Sequence, residues 1–243
     1  MTSPSKEGMR LNKYVAHCGV TSRRKAVDLI ESGKIKVNGK IEKIPYVLVT
    51  DQDVVEYNNK VIRPIEKKVY LLLNKPKDVI STTSDEHGRK SVIDLVPKYE
   101  KYNLHTVGRL DRMTTGLLLL TNDGDLTQKL THPSSEVKKI YQVVLDRPFS
   151  QKDLDTLKKG VTLEDGFIKP DKLAYDRTEG RNVLGIELHS GRNRIIRRMI
   201  DHMGYEVVKL DRVYFAGLTK KDLPRGRYRE LTEREIIMLK HFT

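Results

Sequence analysis

The chain has 243 residues, with 46 Lys and Arg against 33 Asp and Glu, a formal net charge of +13 and one cysteine. The excess of positive charge favours a polyanionic partner such as a nucleic acid, although a basic protein need not bind one. One cysteine excludes an internal disulfide and a cysteine-rich zinc site, and the apolar runs are too short to span a bilayer. With no secretory leader evident, we expect a cytoplasmic protein with neither metal nor membrane partner.

Composition divides the chain into four parts. Residues 1–8 are polar and are expected to be a disordered tail. Residues 9–62 are strongly basic and short of apolar residues, which indicates a small module. Residues 63–68 predict a linker, and residues 69–243 contain the longer apolar runs of a larger domain.

The small module predicts two helices followed by a hairpin. Apolar residues at helical spacing predict a helix over 10–18, and Thr21-Ser22 offers an N-cap for a second helix that ends near Gly33. Asn38-Gly39 between two short apolar runs is typical of a hairpin with a type I′ turn. The module is therefore a helix–turn–helix–hairpin unit.

The start of the second helix is a candidate RNA-binding surface. The unit resembles the RNA-binding module first known from the fourth protein of the small ribosomal subunit, in which this helix docks on RNA backbone. Helix N-terminal amides and adjacent cations both attract phosphate. The resemblance implies that the RNA-binding residues are Ser22, Arg23, Arg24 and Lys25. The alternative is that these residues form a solvated helix face.

The larger part of the chain alternates short strands and helices without long crossover units. Periodicity predicts strands at 69–73, 106–110, 117–120, 141–145 and 184–188, and helices near 125–130, 152–158 and 194–203. A final helix begins at Thr232, which has capping-box spacing to Glu235. This pattern favours an α+β fold with a mixed, mainly antiparallel sheet.

One carboxylate in this part lacks an evident structural role. Asp111 follows Gly108-Arg109-Leu110 and precedes Thr114-Thr115-Gly116 and an apolar run. By contrast, Asp123 and Asp125 flank a glycine, where a turn or a helix cap explains them. A lone aspartate in a loop is nevertheless structural more often than catalytic.

The segment from Gly108 to Gly124 resembles the signature of bacterial ribosomal-RNA pseudouridine synthases. The resemblance extends over most of the chain, through the segments 73–83, 131–134, 139–143, 191–199, 223–226 and 231–235. It implies isomerisation of a uridine to pseudouridine in ribosomal RNA, with no cofactor because the reaction needs no redox change. Residues 160–166 and 192–194 look most like the enzymes that modify large-subunit RNA.

The resemblance also assigns roles to individual residues. It implies that Asp111 is the nucleophile, which suits a group ionised at neutral pH. It implies that Arg109 replaces the flipped-out uridine in the RNA stack, the alternative being a phosphate contact. Tyr141 matches a catalytic tyrosine that stacks on the base, although its spacing alone also fits a core strand residue.

The helix over 194–203 predicts a cationic partner for Asp111. Its apolar stripe comprises Ile196, Met199, Ile200 and Met203, with Arg194 and Arg198 roughly opposite. Arg197 borders the stripe and is therefore the arginine predicted to reach a cleft. The resemblance likewise implies that Arg197 pairs with Asp111, that Ile196 packs near the base and that Arg194 binds RNA. Ile195 stands where the family usually has glutamine.

We therefore predict a monomeric ribosomal-RNA pseudouridine synthase whose partner is ribosomal RNA or a ribosome assembly intermediate. The alternatives are a non-catalytic assembly factor, or the same activity on 16S rather than 23S RNA. A glycoside hydrolase would require two cooperating carboxylates, and no second carboxylate accompanies Asp111. Lys75 and Lys77 flank Pro76 in a predicted loop that either approaches RNA or is simply exposed.

Overall fold

A computed structural model describes residues 8–82, 85 and 88–241. Residues 1–7 of the predicted tail lie outside this range. The chain forms two compact units. The first extends to Lys68 and also includes Lys98–Asn103; the second comprises Val69–Pro97 and the chain from Leu104 onward. No helix in the described ranges is long and apolar enough to cross a membrane.

The first unit contains two helices and six short strands. In chain order they are β1 (Met9–Arg10), α1 (Leu11–His17), α2 (Arg23–Glu31), β2 (Ile35–Val37), β3 (Lys40–Ile41), β4 (Leu48–Val49), β5 (Val55–Tyr57) and β6 (Lys60–Val61). Four strands form an antiparallel sheet in the order β3-β2-β5-β6, and β1 pairs with β4.

Positive backbone φ angles close both hairpins of this sheet. Asn38 and Gly39 have φ of 51° and 78°, as the predicted type I′ turn requires. Asn58 and Asn59 adopt the same region, with φ of 52° and 58°, between β5 and β6. The second hairpin escaped prediction because it lacks the Asn-Gly pair.

The core of the first unit lies between its helices and its sheet. It includes Leu11, Val15, Ala26, Ile30 and Ile35, which are fully buried. Partial burial of the Cys18 thiol against this core raises its pKa to about 12, which disfavours the reactive thiolate. This environment is that of a small core residue, not of a reactive thiol.

The second unit is a sheet with helices packed on it. Its strands are β7 (Tyr70–Lys75), β8 (His105–Thr106), β9 (Thr115–Thr121), β10 (Lys139–Leu145), β11 (Val161–Leu163), β12 (Gly166–Ile168), β13 (Lys172–Tyr175), β14 (Val183–Leu188), β15 (Val207–Phe215), β16 (Leu218–Thr219) and β17 (Tyr228–Glu230). Its α-helices are α3 (Gly124–Thr131), α4 (Gln151–Lys159), α5 (Ile195–His202) and α6 (Glu233–Lys240).

The main sheet runs in the order β13-β14-β10-β15-β9-β7-β17, with β16 on β15 and β8 on β9. Neighbouring strands are antiparallel except for the parallel pair β15 and β9. This architecture confirms the predicted α+β fold with a mixed, mainly antiparallel sheet. Two apolar cores result, one where α4 and α5 pack near β10 and β14, the other where α3 and α6 pack near β7 and β9.

Two sequence predictions about strands require correction. The strand predicted over 106–110 already ends at Thr106, as the end of β8. Gly108 has φ of +73°, and the residues that follow it form a loop. The central strand β15 was not predicted. Its sequence includes Lys209, Asp211 and Arg212, which hide the period-two pattern of a strand that is buried on one face.

The capping box predicted for the last helix is present at α6. The Thr232 hydroxyl accepts a hydrogen bond from the Glu235 backbone N–H, and the Glu235 carboxylate accepts one from the Thr232 backbone N–H. The Arg229 guanidinium donates to both oxygens of the same carboxylate. Chiefly through these arginine hydrogen bonds, the pKa of Glu235 falls to about 2.

We expect Thr232→Ala to lower the free energy of unfolding by about 1 kcal/mol, because it removes an N-cap.

We also expect Glu235→Gln to destabilise the protein at pH 7. A depressed pKa in the folded state adds stability that is complete above the unfolded pKa and is lost as pH falls towards 2. In urea unfolding, the difference between wild type and Glu235→Gln should therefore shrink from pH 5 to pH 3. A constant difference would contradict this account.

Candidate active site

A cleft of about 890 Å³ opens in the second unit. Its walls come from the loop after β8, from β10 and β15, and from the segment that leads into α5. Among the described residues that line it, Asp111 is the only carboxylate. The lining also carries six basic side chains that are charged at neutral pH, Arg109, Lys139, Lys169, Arg192, Arg194 and Arg212. The cleft therefore combines one acid with a strongly positive wall.

Asp111 lies in a turn that hydrogen bonds fix on both sides of the residue. The Thr114 backbone N–H donates to the Asp111 carbonyl at 3.0 Å. On the other side, the Ser81 hydroxyl donates to the Leu110 carbonyl at 2.9 Å and accepts from the Leu110 N–H at 3.2 Å. These bonds fix the backbone around a carboxylate that is 37% exposed and faces the cleft. Arg109, two residues earlier, is exposed on the cleft wall.

A buried lysine, not an exposed one, supports this turn. Lys75 is fully buried, and its Nζ donates to the carbonyls of Pro76, Arg112 and Thr114 at 3.0, 3.2 and 2.8 Å. Burial lowers the pKa of Lys75 to about 8, against the opposing effect of the negative charge on Asp111. The prediction that Lys75 lies in an RNA-facing or exposed loop is wrong, because β7 extends through Lys75.

The arginine nearest to Asp111 is Arg194, not Arg197. Arg194 Nη1 lies 3.8 Å from Asp111 Oδ2. Arg194 precedes α5 with φ of 47°, so it is not on the solvent face of the helix as its spacing suggested. With this left-handed backbone, Arg194 lines the cleft.

Arg197 occupies a more enclosed position than predicted. Its Nη1 donates to the Val207 carbonyl at 2.9 Å, and its buried Nε has no hydrogen-bond partner in the described part of the chain. Burial, followed by repulsion from Arg194, lowers the pKa of Arg197, whereas Asp111 raises it. The predicted direct pair with Asp111 is therefore not formed, although Arg197 lies within its electrostatic reach.

Aromatic and aliphatic side chains complete the cleft. Tyr141 on β10 is half-buried and lines the cleft, and Ile196 in the first turn of α5 is 3% exposed and lines it as well. Ile195, at the position where glutamine was expected, is buried at the same wall. An exposed rim, an aromatic ring and a buried aliphatic residue are the parts of a pocket for a planar ring.

The basic cluster of the first unit is separate in sequence from these residues. The Ser22 hydroxyl caps α2 by accepting from the Lys25 N–H at 3.3 Å. Arg23, Arg24 and Lys25 are exposed. The cluster therefore presents a helix N-terminus with three adjacent cations, which is the arrangement that attracts phosphate.

The described residues contain no group of three or more His, Cys, Asp or Glu side chains that could hold a metal ion. A second catalytic carboxylate, which glycoside hydrolysis normally requires, is likewise absent from the described cleft lining. One carboxylate beside several cations is an arrangement that suits covalent chemistry by that carboxylate.

Comparisons with known proteins match two family models to the chain. Residues 69–202 match the RNA pseudouridylate synthase family, and residues 9–55 match the S4 domain. The ribosomal large subunit pseudouridine synthase B of Bacillus subtilis is 43% identical over 235 residues, 95% of each chain. The dual-specificity RNA pseudouridine synthase RluF of Escherichia coli is 37% identical over 95% of this chain and 78% of its own length.

A solved structure supports the same grouping. A crystal structure of a pseudouridylate synthase superposes with a TM-score of 0.69 and 29% identity, covering 95% of this chain and 99% of the other. Both units of the fold and the cleft segments fall within the matched lengths. The chain belongs to the RNA pseudouridylate synthase family and carries an S4 domain ahead of the catalytic one.

Proposed function

We propose that this protein converts a uridine of ribosomal RNA, in the large subunit, to pseudouridine, acting as a monomer in the cytoplasm. The observation that carries the proposal is the cleft in which Asp111 is the single carboxylate, among six Lys and Arg side chains, on the lining that the structure describes. Such a cleft attracts a polyanion. The named relatives, one of which modifies large-subunit RNA, support the choice of substrate.

We propose Asp111 as the nucleophile. Its carboxylate faces the cleft, and the Ser81 and Thr114 contacts hold its backbone in place. Arg194 Nη1, 3.8 Å from the carboxylate, places a positive charge beside it. Arg197 adds positive charge from behind the wall, so that it acts as a catalytic cation without the direct ion pair expected from sequence.

The base would bind between Tyr141 and Ile196. The first offers a ring for stacking and the second a buried aliphatic contact, both on the cleft wall. A uridine must leave the RNA stack to reach them, which costs a few kcal/mol. We propose that Arg109, exposed beside Asp111, takes the vacated place in the stack and offsets part of that cost.

The S4 unit would supply affinity for the RNA backbone. Ser22, Arg23, Arg24 and Lys25 place three exposed cations at the N-terminus of α2. Contacts of this kind release counterions, so binding that depends on them weakens as salt rises. Arg194 would contribute to RNA binding as well as to the charge of Asp111.

We expect Asp111→Asn to abolish release of tritium from ribosomal RNA labelled at carbon 5 of uracil, because the amide cannot act as the nucleophile. RNA binding, measured by filter retention, should persist. The matched control is Asp201→Asn, which changes an exposed aspartate on α5 and should leave turnover unchanged. Turnover by Asp111→Asn at the wild-type rate would eliminate the proposed function.

We expect Arg194→Met to lower kcat/KM about tenfold, equivalent to about 1.4 kcal/mol, because it removes the cation nearest to Asp111. Arg194→Lys, which keeps the charge, should recover most of the loss. Single-turnover rates across pH 5 to 8 provide the measurement. Equal rates for the two variants would show that the charge of Arg194 does not act on Asp111.

We expect Arg24→Ala to weaken RNA binding and to reduce the slope of log K against log salt by about 1, since one phosphate contact is lost. The rate at saturating RNA should not change. Lys43→Ala removes an exposed cation of the same unit that lies near the opposite end of α2, beside Gly33, and serves as the control. An unchanged salt slope for Arg24→Ala would argue against RNA docking at the start of α2.

A further inference from the structure

Arg212 is a buried cation on the wall of the cleft. It lies in the central strand β15, is 2% exposed and lines the cleft together with Asp111 and Tyr141. A register shift in the pairing of β10 with β15 places Arg212 opposite Tyr141 and Tyr214 opposite Ile140. Directly paired residues lie on the same face of a sheet. The irregularity therefore brings the Arg212 side chain beside the tyrosine ring.

One nitrogen of the Arg212 guanidinium has a hydrogen-bond partner in the described part of the chain, and another has none. Its Nε donates to the Leu117 carbonyl at 2.7 Å, and its central carbon lies 4.5 Å from the centroid of the Phe215 ring. Its Nη2 is buried and has no hydrogen-bond partner among the described residues. A buried donor without a partner costs free energy, so its retention at a cleft points to a partner that arrives with the substrate.

The charge of Arg212 is also uncompensated locally. The next residue, Asp211, is paired with Lys220 and Arg225 and accepts a hydrogen bond from Thr115. No carboxylate in the described part of the chain forms an ion pair with Arg212. The only acid on the described lining of the cleft, Asp111, already has Arg194 beside it.

A second cation shares this region of the wall. Lys139 lies on β10, two residues before Tyr141, and its Nζ donates to the His189 carbonyl at 2.6 Å. Burial and then the positive charge of Arg212 lower the pKa of Lys139 to about 8, while Asp171 raises it. Two cations, Arg212 and Lys139, thus share this part of the cleft wall, which suits a negatively charged group.

We propose that Arg212 is a further catalytic residue that donates hydrogen bonds to a carbonyl oxygen of the target uracil. Its role is to stabilise the negative charge of the base during isomerisation. This inference rests on the proposed function. A base stacked on the Tyr141 ring would have its edge beside the residue that pairs with Tyr141 on β15, which is Arg212.

The bond changes of the reaction explain why a hydrogen-bond donor at a uracil carbonyl oxygen would speed it. As the Asp111 carboxylate bonds to C1′, the bond between N1 and C1′ breaks and its electron pair stays with the uracil, which becomes an anion with charge on its nitrogens and carbonyl oxygens. C5 then bonds to C1′ and displaces the Asp111 carboxylate, the C5 proton leaves and N1 takes up a proton, so that no oxidant or reductant is needed. A preorganised donor on a carbonyl oxygen is strongest while that charge exists.

A uracil oxygen fits better than a phosphate at this position. Arg212 is buried in the central strand, whereas Lys169 and Arg192 are exposed at the cleft. A phosphate of the RNA backbone would meet the exposed cations, since a flipped nucleotide inserts its base rather than its backbone. A guanidinium this deep in the cleft wall is reached by an inserted planar ring more readily than by the RNA backbone.

The variants Arg212→Met and Arg212→Lys test the protein side of the contact. We expect Arg212→Met to lower kcat about 100-fold with little change in KM, as loss of one oxyanion donor does in other enzymes, and Arg212→Lys to recover part of the rate. Thermal unfolding shows whether each variant keeps the fold. An unchanged kcat in a folded Arg212→Met variant would overturn the proposal.

Thiolated RNA tests the substrate side and separates a contact from a general structural effect. The target uridine is replaced by 2-thiouridine or 4-thiouridine, whose sulfur is a poor acceptor, and single-turnover rates form a double-mutant cycle with Arg212→Met. If one thio substitution slows the wild type but has at least tenfold less effect on the variant, the contact is confirmed. Additive losses at both positions would refute it. Arg212→Lys replaces Arg212→Met in the cycle if the methionine variant does not fold.

The same measurements distinguish failure of this inference from failure of the proposed function. Wild-type protein that forms pseudouridine in unmodified RNA, together with additive losses, leaves the proposed function intact and removes Arg212 from catalysis. Wild-type protein that forms none on any ribosomal RNA removes both.

Discussion

The site depends on one buried charge. Lys75 ends β7 inside the protein, where an ammonium group is unfavourable unless its donors are satisfied. Two of its three carbonyl partners belong to Arg112 and Thr114, immediately after Asp111. Movement of the Asp111 turn would therefore leave a buried charge with only the Pro76 carbonyl as a partner. This constraint converts a loop with no regular secondary structure into a fixed support for the carboxylate.

The second constraint is the close approach of β9 and β15. A Cβ on Gly116 would lie 2.3 Å from the Arg212 carbonyl oxygen, so a side chain does not fit there. The parallel pairing of Gly116 with Arg212 connects the end of the Asp111 loop to the cation-bearing strand. Acid and cations thus come from neighbouring strands and their loops, and the left-handed backbone of Arg194 adds the last cation from α5. The pairing of the strands and the backbone conformation of Arg194, and not the surface loops alone, therefore set the positions of the charged side chains.

Much of this could be predicted from sequence, and the failures have physical causes. Local patterns gave the N-cap at Ser22, the first hairpin and the capping box of α6, because each depends on residues a few positions apart. The family motif led to Asp111, Tyr141 and Ile196, which the structure brings to one cleft. Helical periodicity misjudged Arg194, since it assumes that the helix begins at residue 194, whereas that residue is left-handed. The partners of Lys75 and Arg212 are distant in sequence, and no local pattern shows them.

The central claim is that Asp111 makes this protein a ribosomal-RNA pseudouridine synthase. The most direct measurement is a map of pseudouridines in the ribosomal RNA of cells that lack the protein, complemented with either the wild-type or the Asp111→Asn gene. The account predicts that one uridine of the large-subunit RNA stays unmodified without the protein, regains pseudouridine with the wild type and stays unmodified with Asp111→Asn. An identical map in all strains would contradict it.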